Sequence, residues 1–259
     1  MRRIKLVVAY DGTNYCGWQI QPNGITVEAV LNKAICKLTG EQIQVIGASR
    51  TDSGVHALGN VAVFDTESRI PAERFAYALN QRLPDDIVIA ESKEVPENWH
   101  PRYQDSRKVY EYRICNTKVP IPTKRLYQSF VSFQLDVDKM REGANYLVGK
   151  HDFAAFCCIR TNAKSTVRTI YQLDVSRNGD EIVIHVEGNG FLYNMVRIIA
   201  GVLIRVGRGY YGPEKVRELL EGKERTKEAI TAPPQGLCLM EIQYEDDFGL
   251  DKYYADSLV

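Results

Sequence analysis

Residues 168–187 read RTIYQLDVSRNGDEIVIHVE and contain the strongest hairpin signal in the chain. Two runs in which apolar and polar residues alternate, Arg168–Val175 and Glu181–Glu187, flank the dipeptide Asn178-Gly179. Asn-Gly between such runs favours a tight β-turn, because both residue types tolerate a positive φ. The sequence therefore predicts two antiparallel strands here, which excludes a purely parallel sheet.

Further strand and helix signals surround this hairpin. Period-two patterns and turn residues predict strands at Ile4–Tyr10, Ile43–Ile46, Asn60–Phe64, Asp86–Val95, Lys108–Cys115 and Gly236–Tyr244. Helical periodicity predicts helices at Val27–Leu38, Ala72–Leu83, Val137–Val148, Asn194–Val206 and Pro213–Leu220. Thr26 and Gly40 are expected to cap the first of these helices.

The chain divides into two similar halves, each containing both strands and helices. Prolines and polar residues cluster over Pro96–Ser106 and predict the boundary there. We expect an N-terminal domain of residues 1–105, a C-terminal domain of residues 106–245 and an acidic tail of residues 246–259. Hairpins mixed with crossovers are typical of the α+β class, in which helices pack on antiparallel-rich mixed sheets.

Composition excludes several classes of protein. The 259 residues are 44% hydrophobic and 25% charged, and no apolar run reaches the ~18 residues of a membrane span. The N-terminus does not resemble a secretory signal, so we expect six reduced cysteines in a cytoplasmic protein. The four histidines lack the spacing of metal ligands, and no metal site is predicted.

Charge is distributed unevenly although the net charge is zero. Residues 241–259 carry six acidic side chains and one lysine, which leaves 32 basic and 27 acidic residues in the rest of the chain. A mildly basic body is compatible with a nucleic-acid partner. We hypothesise that the acidic tail shields or tunes this basic surface.

The most unusual segment is the loop Gly47–Ala57 between two predicted strands, which reads GASRTDSGVHA. An arginine, an aspartate and a histidine within seven positions of such a loop suit a catalytic site. The alternative is a tight turn in which Asp52 caps the backbone and Gly54 adopts a positive φ. Spacing alone leaves both interpretations open.

Three catalytic chemistries could use this loop. A triad of Ser53, His56 and Asp52 is disfavoured, because the residues are too close in sequence and no strand-turn-helix elbow surrounds the serine. Two aspartates sharing a proton, as in aspartic proteases, are disfavoured because Arg50 would keep Asp52 ionised. The third is a lone ionised Asp52 that attacks an electrophilic carbon, with Arg50 or another arginine lowering its pKa and orienting it.

Five sequence blocks resemble the TruA family of tRNA pseudouridine synthases and follow the family's order over residues 8–237. The loop contributes RTDSGVHA at residues 50–57. The other blocks are VAYDGTNYCGWQ (8–19), RKVYEY (107–112), GFLYNMVR (190–197) and APPQGL (232–237). Ser53 stands where many members carry alanine, and Asn60 stands where glutamine is common; both positions lie outside the implied nucleophile.

The resemblance implies roles for five residues. Asp52 would be the nucleophile, Arg197 would pair with it through a bidentate guanidinium, and Tyr110 would stack on the target uracil. Leu237 would pack beneath the base, and Arg50 would enter the RNA and help to eject the target nucleotide. Judged as bare residues, Tyr110 and Leu237 would be taken for core. The alternative for Arg197 is a helix cap or a surface arginine, but its place on an otherwise apolar helix disfavours a solvated charge.

The resemblance also implies the reaction and the partners. Such an enzyme isomerises uridine to pseudouridine in the tRNA anticodon stem-loop, at positions 38, 39 or 40, without a cofactor or metal. It has two pseudo-symmetric α+β domains with a sheet running across both and a catalytic cleft between them, and it is a homodimer whose two subunits both contact the tRNA. The alternatives are a synthase with other RNA targets and a catalytically silent RNA-binding protein of the same fold. Basic residues that could contact RNA phosphates are Lys108, Arg160, Lys164, Arg168, Arg205 and Arg208.

Overall fold

The computed structural model describes residues 1–158 and 163–245. Its strands are β1 (Arg2–Tyr10), β2 (Ile46–Gly47), β3 (His56–Thr66), β4 (Ile87–Val95), β5 (Ser106–Cys115), β6 (Ser129–Phe130), β7 (Gly149–Asp152), β8 (Val167–Asn178), β9 (Glu181–Gly188) and β10 (Leu237–Tyr244). Its helices are α1 (Val27–Thr39), α2 (Arg74–Asn80), α3 (Val137–Asn145), α4 (Met195–Gly207) and α5 (Glu214–Gly222). All the described strands form one sheet, in the order β4-β1-β3-β10-β5-β9-β8-β7, with β2 on β3 and β6 on β5. The predicted α+β class is confirmed.

The N-terminal half is built around β1, which pairs antiparallel with β3 on one side and β4 on the other. Alternate residues of β1, Ile4, Leu6 and Val8, are fully buried, as a strand with one face on the core requires. Helix α1 begins where predicted, because the Thr26 hydroxyl accepts a hydrogen bond from the Ala29 amide. It ends at Gly40, whose φ of 77° gives the left-handed cap that glycine favours.

The C-terminal half contains the predicted hairpin as β8 and β9. Asn178 pairs with Glu181, so the two-residue loop is Gly179-Asp180, one position later than the Asn-Gly signal indicated. The shift places a glycine with φ of 56° at the first loop position. Glycine at that position is what a tight hairpin turn with a positive first φ requires.

The helix α4 is buried along most of its length, as its nearly all-round apolar sequence predicts. It packs against α3 and β5. Asn194, the residue before its first turn, has φ of 62°, which redirects the chain into the helix. No helix in the described ranges combines the length and the apolar character that crossing a bilayer would need.

The last strand, β10, connects the two halves of the sheet. It pairs parallel with β3 at Cys238 and Leu239 and antiparallel with β5 along most of its length. The sheet is therefore continuous across the predicted domain boundary, and β5 starts at residue 106. The division into residues 1–105 and 106–245 stays a prediction, and the acidic tail lies outside the described residues.

Several predicted bounds were wrong. The strand predicted at Ile43–Ile46 is paired only at its end, because the Val45 amide donates to the Asn32 side chain instead of to a neighbouring strand. The strand β3 starts at His56 because β10 pairs with it there. The helix predicted to reach residue 148 ends at 145, and the chain turns at Gly149 (φ of 109°) into the unpredicted β7. The two-residue β6 was not predicted either.

Candidate active site

The loop between β2 and β3 is held in place by backbone hydrogen bonds. The Trp18 amide donates to the Thr51 carbonyl at 3.1 Å, and the Gly54 amide donates to the Tyr15 carbonyl at 3.3 Å. Gly17 makes this close approach possible, because its φ is 81° and a Cβ there would lie 2.5 Å from the Thr51 oxygen. The loop conformation is therefore fixed by the segment that follows β1.

Asp52 and Arg197 meet across the two halves of the sheet. The Arg197 Nη1 donates to Asp52 Oδ2 at 2.9 Å, and the side chains are only 16% (Asp52) and 15% (Arg197) exposed. The bidentate pairing expected from the sequence is wrong, because the same Nη1 also binds Asn194 Oδ1 and the Arg197 Nε binds the Ala232 carbonyl. Asp52 Oδ1 consequently has no hydrogen-bond partner among the described residues.

The segment before β10 fixes Arg197. The Ala232 amide donates to the Arg197 carbonyl at 3.0 Å while the Arg197 Nε donates to the Ala232 carbonyl at 2.9 Å. The next carbonyl, that of Pro233, accepts from the Tyr112 hydroxyl of β5 at 2.9 Å. This reciprocal bonding accounts for the APPQG segment: it ties the first turn of α4 to the central strands.

The pKa of Asp52 lies above its ordinary value. Burial of the carboxylate raises this pKa, and the hydrogen bond and charge of Arg197 lower it by less. The expected lowering by a neighbouring arginine is present, but burial outweighs it, and the net shift is upward. The arginine that acts on Asp52 is Arg197 and not Arg50, whose side chain is exposed.

Tyr110 lies on β5 with its ring buried. Its hydroxyl shares a 2.9 Å hydrogen bond with Ser49 Oγ, and its ring meets that of Phe191 edge-to-face at a centroid distance of 5.3 Å. Burial raises the pKa of Tyr110 to about 12, so the phenol is neutral at physiological pH. Ser49 and Phe191 were not predicted as site residues, although Phe191 stands inside a sequence block that carried the resemblance and Ser49 directly precedes another.

A cavity of about 940 Å³ brings together four of the five predicted site residues. Arg50, Asp52, Tyr110 and Leu237 all line it. Arg197 approaches Asp52 from outside this lining, so it contacts the carboxylate and not the contents of the cavity. An open, water-accessible pocket beside a carboxylate and an aromatic ring can hold a flat ring such as a base.

A second cavity of about 660 Å³ adjoins the first and shares Arg102, Lys108 and Arg168 with it. Lys108 and Arg168 were predicted as phosphate-binding candidates, whereas Arg102 was missed because it lies in the segment assigned to the domain boundary. Arg160 lies outside the described residues. The remaining candidates, Lys164, Arg205 and Arg208, line neither cavity, and the Arg208 guanidinium stacks 3.4 Å from the centre of the Phe133 ring.

The geometry does not support a triad of Ser53, His56 and Asp52. Ser53 Oγ donates to the Tyr15 carbonyl, and the His56 ring binds the Gly12 amide and the Leu126 carbonyl, so His56 has a structural role. Across residues 1–158 and 163–245, no three His, Cys, Asp or Glu side chains are placed to hold a metal ion.

The fold and the site together define an α+β enzyme with a buried carboxylate at a basic cavity. The family model described as tRNA pseudouridine synthase matches residues 6–104 and 144–245. The tRNA pseudouridine synthase A of Thermoanaerobacter sp. is 52% identical over 94% of this chain and all of its own length. The proteins of that name from Ruminiclostridium cellulolyticum and Geotalea daltonii are 50% and 47% identical, again over 94% of this chain and all of their own length. The chain belongs to the tRNA pseudouridine synthase family, a family of isomerases.

Proposed function

We propose that this protein converts uridine to pseudouridine in the tRNA anticodon stem-loop, at one or more of positions 38 to 40, with Asp52 as the nucleophile. In this isomerisation the N1–C1′ bond breaks and a C5–C1′ bond forms, the C5 proton leaves and N1 gains a proton. The observation that carries the proposal is the hydrogen bonding of the Asp52 carboxylate at the wall of the cavity. Arg197 binds one of its oxygens, and the other has no hydrogen-bond partner among the described residues.

The other site residues fit around the same reaction. The buried ring of Tyr110 would stack on the target uracil, and such stacking is worth about 1–3 kcal/mol per base. Leu237, at the start of β10, would form the apolar floor beneath that base. Arg50, exposed beside the nucleophile, would enter the RNA as the target nucleotide leaves its stack, a step that costs a few kcal/mol.

Release of tritium from tRNA labelled at uridine C5 tests the reaction and the nucleophile together. The C5 hydrogen must leave when C5 bonds to C1′, so wild type should release tritium and Asp52→Asn should release none. A wild-type protein that binds tRNA without releasing tritium would contradict the proposal and favour a silent RNA-binding protein.

The position of the target uridine needs a separate measurement. Transcripts in which cytidine replaces uridine at position 38, 39 or 40 should lose tritium release in proportion to the uridines removed. Unchanged release from a transcript lacking all three would move the target elsewhere in the RNA.

The homodimer is proposed on the family resemblance. Sedimentation equilibrium of the full chain, with and without tRNA, should give twice the chain mass of 29.4 kDa. A monomer in both conditions would refute this part of the proposal.

A further inference from the structure

Three cations lie together beside the catalytic cavity. Arg102, Lys108 and Arg168 line both the larger cavity and the adjoining smaller one, where the two meet. They come from three separate parts of the chain, namely the segment before β5, β5 itself and β8. Like charges brought together from separate elements repel one another, so the arrangement needs a compensating anion or other strong contacts.

The three cations are held by backbone carbonyls instead of carboxylates. The Arg102 Nε donates to the Gly47 carbonyl at 2.7 Å, and the Lys108 Nζ donates to the Ala48 carbonyl at 3.2 Å. Arg168 Nη1 donates to the Ser165 and Val167 carbonyls. Carbonyl contacts orient these groups without neutralising their charge.

No carboxylate in the described part of the chain lies within 4.0 Å of any of the three. Asp105 and Glu245 also line the smaller cavity but make no ion pair with these cations. The ion pairs of the nearby sheet involve other residues, such as Arg107 with Glu187 at 3.0 Å. The positive charge around Lys108 is therefore left for a ligand.

The position of Lys108 relative to Tyr110 indicates which kind of anion would fit. Lys108 and Tyr110 are two residues apart on β5, so their side chains point to the same face about 7 Å apart along the strand. An anion bound at Lys108 would lie beside a ring stacked on Tyr110. In a nucleotide the backbone phosphate lies beside the base in the same way. The open junction of the two cavities leaves room for the chain to continue in both directions.

We propose that Arg102, Lys108 and Arg168 form a binding site for an RNA phosphodiester next to the target nucleotide. This inference rests on the proposed function and specifies how the substrate backbone is held. Burial and the charges of Arg102 and Arg168 lower the pKa of Lys108 to about 8, which agrees with a cation crowded by others before the anion binds. Contacts at this phosphate would offset part of the cost of extruding the target nucleotide.

The test is the salt dependence of tRNA binding by the full chain carrying Asp52→Asn, which removes turnover from the measurement. Removing one phosphate-binding cation should reduce the slope of log affinity against log salt by about 0.7 to 0.9. Lys108→Met and Arg168→Met should each show this reduction together with weaker binding, and Arg168→Lys should retain the slope. The matched control is Arg82→Met, since Arg82 also binds a backbone carbonyl, that of Ala78, but lines neither cavity.

Slopes equal to that of the Asp52→Asn parent in both methionine variants would overturn the inference. Calorimetry with inorganic phosphate distinguishes a site for a free anion: tight phosphate binding abolished by Lys108→Met, with an unchanged tRNA slope, would also overturn it. Failure of the proposed function has a different signature, because wild type would then release no tritium whatever the salt slopes of the variants.

Discussion

Replacing Arg197 should raise the pKa of Asp52 and shift the pH dependence of the reaction. Arg197 gives Asp52 one charge-assisted hydrogen bond of 2.9 Å in a mostly buried pair. A hydrogen bond to a charged group contributes about 1.5–3 kcal/mol. Its removal should therefore disfavour the ionised carboxylate by about that amount of free energy and raise the pKa of Asp52. The shift is upward because Arg197 favours the ionised carboxylate.

The measurement is the pH profile of kcat/KM for tritium release, whose acid limb reports the free enzyme. If ionised Asp52 is the reactive form, activity falls as pH drops through its pKa. The acid limb should therefore lie at higher pH in Arg197→Met than in wild type, and between the two in Arg197→Lys, which keeps the charge but not the fork of donors.

The control is Arg177→Met. Arg177 is also half-buried and donates to Asn116 Oδ1 and the Leu135 carbonyl, but it lines neither cavity and has no carboxylate in those contacts. Its replacement should lower stability without moving the acid limb. An acid limb at the wild-type pH in both Arg197 variants, with only the amplitude reduced, would refute the assigned coupling between Arg197 and Asp52.

Three further predictions concern the loop, the tyrosine and the basic site. Gly17→Ala should lower the free energy of unfolding in urea by more than the ~1–2 kcal/mol that an alanine with a left-handed backbone costs, because the new Cβ would also clash with the Thr51 carbonyl oxygen. The control is Gly40→Ala: Gly40 has a similar φ but open space around it, so only the backbone strain should appear. Tyr110→Phe keeps the ring and should leave KM for tRNA nearly unchanged; a large rise of KM would show that the hydroxyl, and not the stacked ring, carries the binding. Ser49→Ala should lower the free energy of unfolding by about 1–3 kcal/mol, because it leaves the buried Tyr110 hydroxyl unpaired. Affinity for tRNA should fall as pH rises past about 8, where free Lys108 loses its proton, and Lys108→Met should remove that dependence in a binding titration.

Local sequence signals predicted the helices and strands whose ends are set by contacts between residues close in sequence. The cap at Thr26, the apolar spacing of α1 and the glycine at its end set both bounds of that helix within one residue. The continuous sheet could not be predicted in this way, because β10 pairs with a strand from the other end of the chain. No local pattern encodes a pairing over such a distance, and β3 was predicted too short for the same reason.

The structure brings the predicted site residues together, whereas their electrostatics could not be predicted from the sequence. The loop was recognisable from three polar side chains in a short span, and its partners from the family blocks. The direction of the pKa shift of Asp52 depends on how deeply the carboxylate is buried and how many contacts the arginine makes. Nothing in the sequence identified Arg102 as a site residue, because it lies in a segment of prolines and polar residues whose composition is typical of a linker.

The single contact between Arg197 and Asp52 fits the reactive carboxylate that we propose. A bidentate arginine would occupy both oxygens and lower the pKa further, whereas here Arg197 divides its donors between Asp52, Asn194 and Ala232. Because the pKa of Asp52 is raised in the folded protein, its contribution to stability is present below the unfolded pKa and is lost as pH rises through the folded pKa. The ionised carboxylate is therefore less well stabilised in the fold than in water. Other packing in the protein has to offset this cost. A poorly solvated carboxylate at the wall of the cavity, with one oxygen not hydrogen-bonded by the described residues, suits a nucleophile. The feature that weakens the fold at this residue is therefore the one that suits the proposed reaction.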